Sequence, residues 1–524
     1  MLIAGRVGRV VASAAAVVAV SVALAGCGSS SGDSSNADTG GAPDESAVLR
    51  IGGTFFSNAG AFFDPGNYNA NSQAQTWIDL MYDTMIHDTA DGSKPGLATE
   101  WSAPDPQTVE LTLRTGVKFQ DGTPFNAEAV KFSWERFRDN SKNVKAAELQ
   151  ALQSVDAVDD SHVVVHLSKP VAGAYLSRFL RESQSGLGVV SPTAARSAGA
   201  DFEKHPVGAG PFQFKGYVTD QQISLTKFDG YWDADKYHFA GVDVVNVAAG
   251  APTLTALAAG SIDTAVVGAS SVESVKAQSG LSVFSEPSDT LLQMGFCETK
   301  APFDNVKARQ AVAIGVDRKA INDAAYKGLG QETTLPLPQS SPDYDSDLAG
   351  VLAYDKDKAS SLLDSAGAKG KKVTLLYFQQ PEVETAATIM QSQLKDLGLD
   401  VELRPTSSPA KDPAALKPDM FLLPLRPPVQ SSTWSPTGVT NGCQNQTTNV
   451  LDAYIDANDP SLSADKHTEA SKTFQKLVTD EVPAAFYIAV PTIEASTNRL
   501  KGITHIKQSA AQNLVLEDVY LTKK

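Results

Sequence analysis

The sequence predicts a mixed α/β protein built of more than one lobe, on three observations. From Val48 to Lys524 the composition stays globular for more than 470 residues, longer than one core usually serves at roughly 100–200 residues per domain. Lys372–Leu376, Thr385–Asp396 and Leu399–Leu403 read as strand, helix and strand with short connections, which suits a parallel pair with a right-handed crossover. Thr108–Phe137 passes from strand spacing to helix spacing through a turn, so the two element types are interleaved rather than segregated.

Taken in order, residues 1–26 read as a signal peptide. Arg6 and Arg9 form a positive head, and Val10–Ala25 is apolar, rich in small residues and short for a membrane-spanning helix. Leu24-Ala25-Gly26-Cys27 resembles the lipobox of bacterial lipoproteins, which implies a lipid on Cys27. An ordinary secretory signal with a chance cysteine, or an uncleaved anchor helix, are the alternatives. Residues 27–47 form a Ser/Gly/Asp-rich tether that buries too little apolar surface to offset its ordering entropy. Its formal G-x-S-x-G match, Gly28–Gly32, lacks the strand-to-helix turn that a nucleophile elbow needs. Val48–Gly53 reads as a first strand and Thr76–His87 as a helix with Trp77, Leu80, Met81 and Met85 on one face. Val109, Leu111 and Leu113 alternate with polar residues, a half-buried strand. Gln120–Pro124 is a turn, Asn126 a helix N-cap, and Val130, Trp134 and Phe137 an apolar helical stripe. Asp419–Leu425 reads as a buried strand.

The net charge of −16, or −18 without Arg6 and Arg9, excludes nucleic acid as a partner, since phosphate binding wants a basic surface. Of the three cysteines only Cys297 and Cys443 fall in the globular part. In an exported domain they suggest one disulfide, the alternative being two buried thiols.

The stretch LRTGVKFQDGTPFNAEAVKFSWER, Leu113–Arg136, resembles the signature of the extracytoplasmic solute-binding proteins of family 5, the peptide/nickel-type receptors of ABC importers. Further motifs follow in the family's order: Val207–Phe212 (VGAGPF, with Ala209 where Thr is usual), Lys227–Trp232 (KFDGYW), Ala256-Leu257 with Gly260 and Ile262-Asp263, Pro302-Phe303-Asp304 with Arg309-Gln310-Ala311, Val316-Asp317-Arg318, and Lys358–Gly367. The resemblance implies an α/β fold of the periplasmic-binding-protein-like type II, two lobes with a hinge and an extra domain, the three-domain class C arrangement. It implies domain I from 48–90, 205–281 and 491–524, domain II from 91–204, and domain III, the second lobe, from 282–490.

Catalysis is not expected. The seven histidines are scattered, and His162 and His166 flank a Val-Val-Val strand, where four residues span about 13 Å, too far for one metal. Gly208-x-Gly210 lacks the third glycine of a dinucleotide loop. No cofactor or metal is expected. The expected activity is that of a lipid-anchored receptor on the outer face of the cytoplasmic membrane. As a monomer it would bind a peptide or another polar or anionic small molecule by lobe closure and deliver it to an ABC permease and ATPase complex. A non-transport lipoprotein that reuses the fold for envelope assembly or regulation is the competing expectation.

Candidate ligand contacts come from the same resemblance. Asp64-Pro65 matches a family motif, and the segment after it lines the cavity in relatives. Tyr68 and Asn69 are its pocket candidates, with Phe62, Phe63 and Asn67 divided between pocket and core. Gly210 and Phe212 lie where the chain returns to domain I, with an ordinary turn as the alternative. Where peptide-carrying relatives place an acid after the strand that Asp419 opens, this chain has Pro427-Pro428-Val429, and Arg426 is the only charge before Trp434. Arg426 would meet an anionic ligand group or a protein carboxylate. Trp434 is a stacking candidate, as is Tyr487, for which packing is the alternative.

Overall fold

The computed structural model describes residues 41–53, 63–67, 75–89, 92–139, 151–169, 172, 180, 187–341, 343–407, 417–425, 448–457, 462, 464–503 and 514–523. The signal peptide, Cys27, Tyr68, Asn69, Arg426, Trp434 and Cys443 lie outside these residues. Among the described residues no helix is long and apolar enough to cross a membrane.

The strands of the first half are β1 (Val48–Gly53), β2 (Ile86–Thr89), β3 (Gly92–Pro95), β4 (Ala98–Asp105), β5 (Thr108–Leu113), β6 (Leu152–Ala157), β7 (His162–Leu167), β8 (Phe212–Val218), β9 (Gln222–Lys227) and β10 (Gly241–Asn246). Those of the second half are β11 (Thr264–Val266), β12 (Leu281–Phe296), β13 (Gln331–Glu332), β14 (Lys372–Phe378), β15 (Asp400–Thr406), β16 (Met420–Leu425), β17 (Ala484–Thr497), β18 (Leu500–Lys501) and β19 (Tyr520–Leu521). One sheet runs β15-β14-β16-β12-β17-β11-β1-β10-β9-β8, with β13 added beside β17, and a smaller antiparallel sheet runs β4-β5-β7-β6.

Local sequence accounts for most of these elements. β1 spans the residues expected of it, and β5 buries Val109, Leu111 and Leu113. The Asn126 carboxamide accepts the Ala129 N–H at 3.0 Å and starts the helix Ala127–Asp139, which buries Val130, Trp134 and Phe137. β14 and β15 pair in parallel across the helix Pro381–Asp396. His162 and His166 sit on β7, paired with Asp159 and Asp156 at the surface.

The helix expected over Thr76–His87 ends early, at Tyr82. Asp83 adopts φ 56°, a left-handed conformation that stops a helix. Its carboxylate stays buried because it accepts from the Thr84 N–H (2.7 Å), the Tyr231 hydroxyl (2.9 Å) and the Trp232 indole (2.9 Å), and pairs with His87 (2.5 Å). Met85 is therefore buried from the loop, not from the helix.

Two large cores flank the main sheet. The first gathers β1, the helix Gln75–Tyr82, the small sheet and β8–β10, and includes Leu49, Trp134 and Phe212. The second gathers β12, β14, β16 and the helices around them, and includes Met294, Leu375 and Leu422. β12 and β17 are the long strands between them. They pair from Leu281/Thr497 to Pro287/Pro491 and again from Leu291/Ala489 to Gly295/Ala484. Across the interruption, the Ser288 hydroxyl donates to the Val490 carbonyl at 2.6 Å and accepts the Thr290 N–H at 3.2 Å.

Candidate functional site

A cleft of about 720 Å³ opens at that interruption. Thr290, Val490 and Pro491 lie at it; Trp77 and Leu80 of the first core line it together with His87 and Pro211, and Tyr326 and Phe378 of the second together with Pro381 and Pro424. The volume falls within the ~300–1,000 Å³ of sites for small solutes.

The sequence candidates distribute unevenly around it. Pro211 lines the cleft, but Gly210 and Phe212 do not. Phe212 is fully buried and meets Tyr237 edge-on at 5.7 Å. The glycines serve close packing against the helix Gln75–Tyr82. A Cβ on Gly208 would lie 2.2 Å from the Met81 carbonyl oxygen, and one on Gly210 would lie 2.5 Å from that of Leu80. Sheet alternation turns Phe212 inward, and the helix occupies the space beside Gly210. Gln120 locks this crossing, a role that its place in a turn motif does not announce. Its amide donates to the carbonyls of Met81 (2.9 Å) and Phe212 (2.8 Å), and its oxygen accepts the Gly208 N–H (2.9 Å).

Asp64 is buried and structural, held by Arg136 at 2.5 and 3.0 Å and by the Gly66 N–H. Phe63 is core, packed on Phe214 at 4.7 Å. Tyr487 is fully buried under Arg318, so it packs rather than stacks on a ligand. Arg318 is itself satisfied by the carbonyls of Ala313, Thr333, Leu352 and Phe486. Cys297 is disulfide-bonded and fully buried. β16 carries its end to the cleft at Pro424, which lies opposite Leu292 of β12. Pro424 is tolerated because β14 pairs with β16 only through Met420–Leu422, so the missing N–H breaks no ladder bond on that side.

The charges on the cleft wall are acids that sequence reasoning passed over. Asp79, Asp83, Glu382, Glu494 and Glu517 line it, with His87 and, among the described residues, no Lys or Arg. Burial opposes the charge on Asp83, but His87 and the hydrogen bonds from His87, Trp232 and Thr84 outweigh it and hold the carboxyl below its usual range. Burial likewise opposes Glu517, yet His87 and Lys94 bring it down to about 2. Glu382 accepts from the Ser270 hydroxyl at 3.3 Å. Glu494 differs from these. It is 2% exposed, burial pushes its carboxyl up to about 7, and the Thr264 hydroxyl only partly offsets this. Among the described residues no three or more His, Cys, Asp or Glu form a metal-binding group.

A family model described as "Bacterial extracellular solute-binding proteins, family 5 Middle" matches residues 93–441. The chain belongs to this family. This family 5 protein is 28% identical over 336 residues to the "Probable D,D-dipeptide-binding periplasmic protein" of Escherichia coli, covering 62% of this chain and 64% of that one. It is 28% identical over 375 residues to the glutathione-binding protein of Pectobacterium atrosepticum, covering 68% of each. Among solved structures, the ABC transporter substrate-binding protein CtaP of Listeria monocytogenes superposes with a TM-score of 0.80 at 21% identity, over 92% of this chain and 100% of that one. The type II fold, two lobes around a cleft, is therefore that of the family 5 periplasmic binding proteins.

Proposed function

We propose that this family 5 protein is the receptor of an ABC importer, capturing a peptide-like or similar small solute between its lobes and presenting the closed form to the permease and ATPase. The observation that carries this reading is the position of the cleft. It opens where the β12–β17 ladder is interrupted, so a small rotation there moves one core against the other while both ladders stay paired. The peptide-like ligands in the names of its relatives support the solute class. We assign 48–90, 205–281 and 491–524 to domain I, 91–204 to domain II and 282–490 to domain III, with the hinge at Ser288–Thr290 and Val490–Pro491. We further propose a lipid anchor on Cys27 at the outer face of the cytoplasmic membrane, and Cys443 as the partner of the disulfide-bonded Cys297.

A solute works as a signal only if it favours the closed state differentially. The test is native mass spectrometry of the purified protein together with calorimetric titration of any solute it carries. At 100-fold excess over Kd that solute should add about 2.7 kcal/mol of stability, and small-angle scattering should show a more compact particle. A cleft that yields no solute and a protein that none stabilises would refute the receptor reading.

A further inference from the structure

Glu494 sits on β17 opposite Val266 of β11. Ala265 and Ala495 pair in the same ladder and face a core with Leu257 and Ile262, so strand alternation turns Glu494, Thr264 and Val266 to the opposite face. That face borders the cleft: Val266 is 47% exposed, and both it and Glu494 line the cavity. The other acids of the wall have their own arrangements. Asp83 is held by His87, Tyr231 and Trp232, and Glu517 by Lys94 and His87. Among the described residues the Glu494 carboxyl accepts one hydrogen bond, from the Thr264 hydroxyl, and pairs with no cation and no backbone N–H. A buried carboxylate left so is costly, and a cation brought to it in a low-dielectric site is held strongly. Among the described residues the wall supplies no Lys or Arg, and its His87 is taken up by Asp83 and Glu517.

We propose that Glu494 is a specificity-determining residue of the cleft, the anchor for a primary ammonium or guanidinium group on the captured solute. The proposal rests on the receptor reading above and names the ligand chemistry of the same cleft. Thr264 positions the carboxylate, and Val266 beside it offers an apolar contact to the carbon chain that bears the cation. The same geometry disfavours a dicarboxylate or a sugar phosphate, because its charge would face five acids.

The test is calorimetric titration of wild type and Glu494→Gln against matched probes: free-amine tripeptides and their N-acetylated forms, putrescine and agmatine, succinate, and glucose 6-phosphate. Gln retains the shape and the acceptor for Thr264. The expected result is binding by amine- or guanidine-bearing probes only, weakened at least 30-fold in Glu494→Gln, with an unliganded urea midpoint equal to or above that of wild type. Binding of succinate, the sugar phosphate or an acetylated peptide, unchanged in Glu494→Gln, would overturn the proposal and leave the receptor reading standing. Equal loss of affinity for charged and neutral probes would make Glu494 structural and also overturn it. If wild type binds none of the probes and carries no solute when purified, the receptor reading fails first and the proposal with it.

Discussion

Gly208→Ala tests whether the Gly208–Gly210 crossing serves packing or ligand. The new Cβ would stand 2.2 Å from the Met81 carbonyl oxygen, 2.6 Å from a ring carbon of Tyr82 and 3.0 Å from the Met81 carbonyl carbon. Two of these atoms are backbone at the end of a helix and cannot swing away, so the crossing itself must move. Overpacking of this kind costs about 1–3 kcal/mol. The displacement also lengthens the Gly210 N–H to Met81 carbonyl bond and the Gly208 N–H to Gln120 bond, both 2.9 Å, each worth about 1 kcal/mol. The expected loss is about 3–5 kcal/mol. At about 2.1 cal/mol/K of unfolding entropy per residue, a chain this long moves only about 1 °C in Tm per kcal/mol, so the urea midpoint is the better readout. Gly216→Ala on β8, where a Cβ meets nothing within 4 Å, is the control and should unfold with wild type. The reasoning is refuted if Gly208→Ala keeps the wild-type midpoint while the affinity for a bound solute falls tenfold. The glycines would then face the ligand.

Gln120→Leu should cost about 2–4 kcal/mol in urea unfolding, because it removes one donor each from the Met81 and Phe212 carbonyls and leaves the Gly208 N–H without its acceptor. Asp83→Asn should destabilise at pH 7 by about 2–3 kcal/mol. Since the carboxyl of Asp83 is held below its usual range, its contribution is present above the unfolded value of 3.8 and is lost on acidification, so the gap between the two proteins should narrow below about pH 4. Glu494 works the other way. Its carboxyl rises from 4.5 unfolded to about 7 folded, so the folded state binds the extra proton and unliganded stability falls as pH rises through that window, by about 3 kcal/mol in all. Glu494→Gln should flatten that part of the stability–pH curve, and an unchanged slope would show that Glu494 does not titrate there.

Much of the fold was legible because its causes are local. The alternation in β5, the Asn126 cap, and the strand, helix and strand of 372–406 each follow from a few neighbouring residues. The site was less legible because its causes are distant. Thr76–His87 carries helical spacing to its end, yet Tyr231 and Trp232 stabilise Asp83 in a conformation that stops the helix. Tyr68, Asn69, Arg426 and Trp434, which the resemblance offered as ligand contacts, lie outside the described residues.

The sequence by itself determined the family, the acidic character of the chain and the order of its strands and helices, since motifs and periodicity are properties of neighbours along the chain. Only the tertiary structure decided which residues meet the cleft. Thr492, Glu494 and Ser496 alternate with apolar residues as a solvent-facing strand would, but packing buries all three. Whether a carboxyl lies in water or beside a ligand site depends on what folds over it, and for Glu494 those neighbours, Thr264 and Val266, come from more than two hundred residues away.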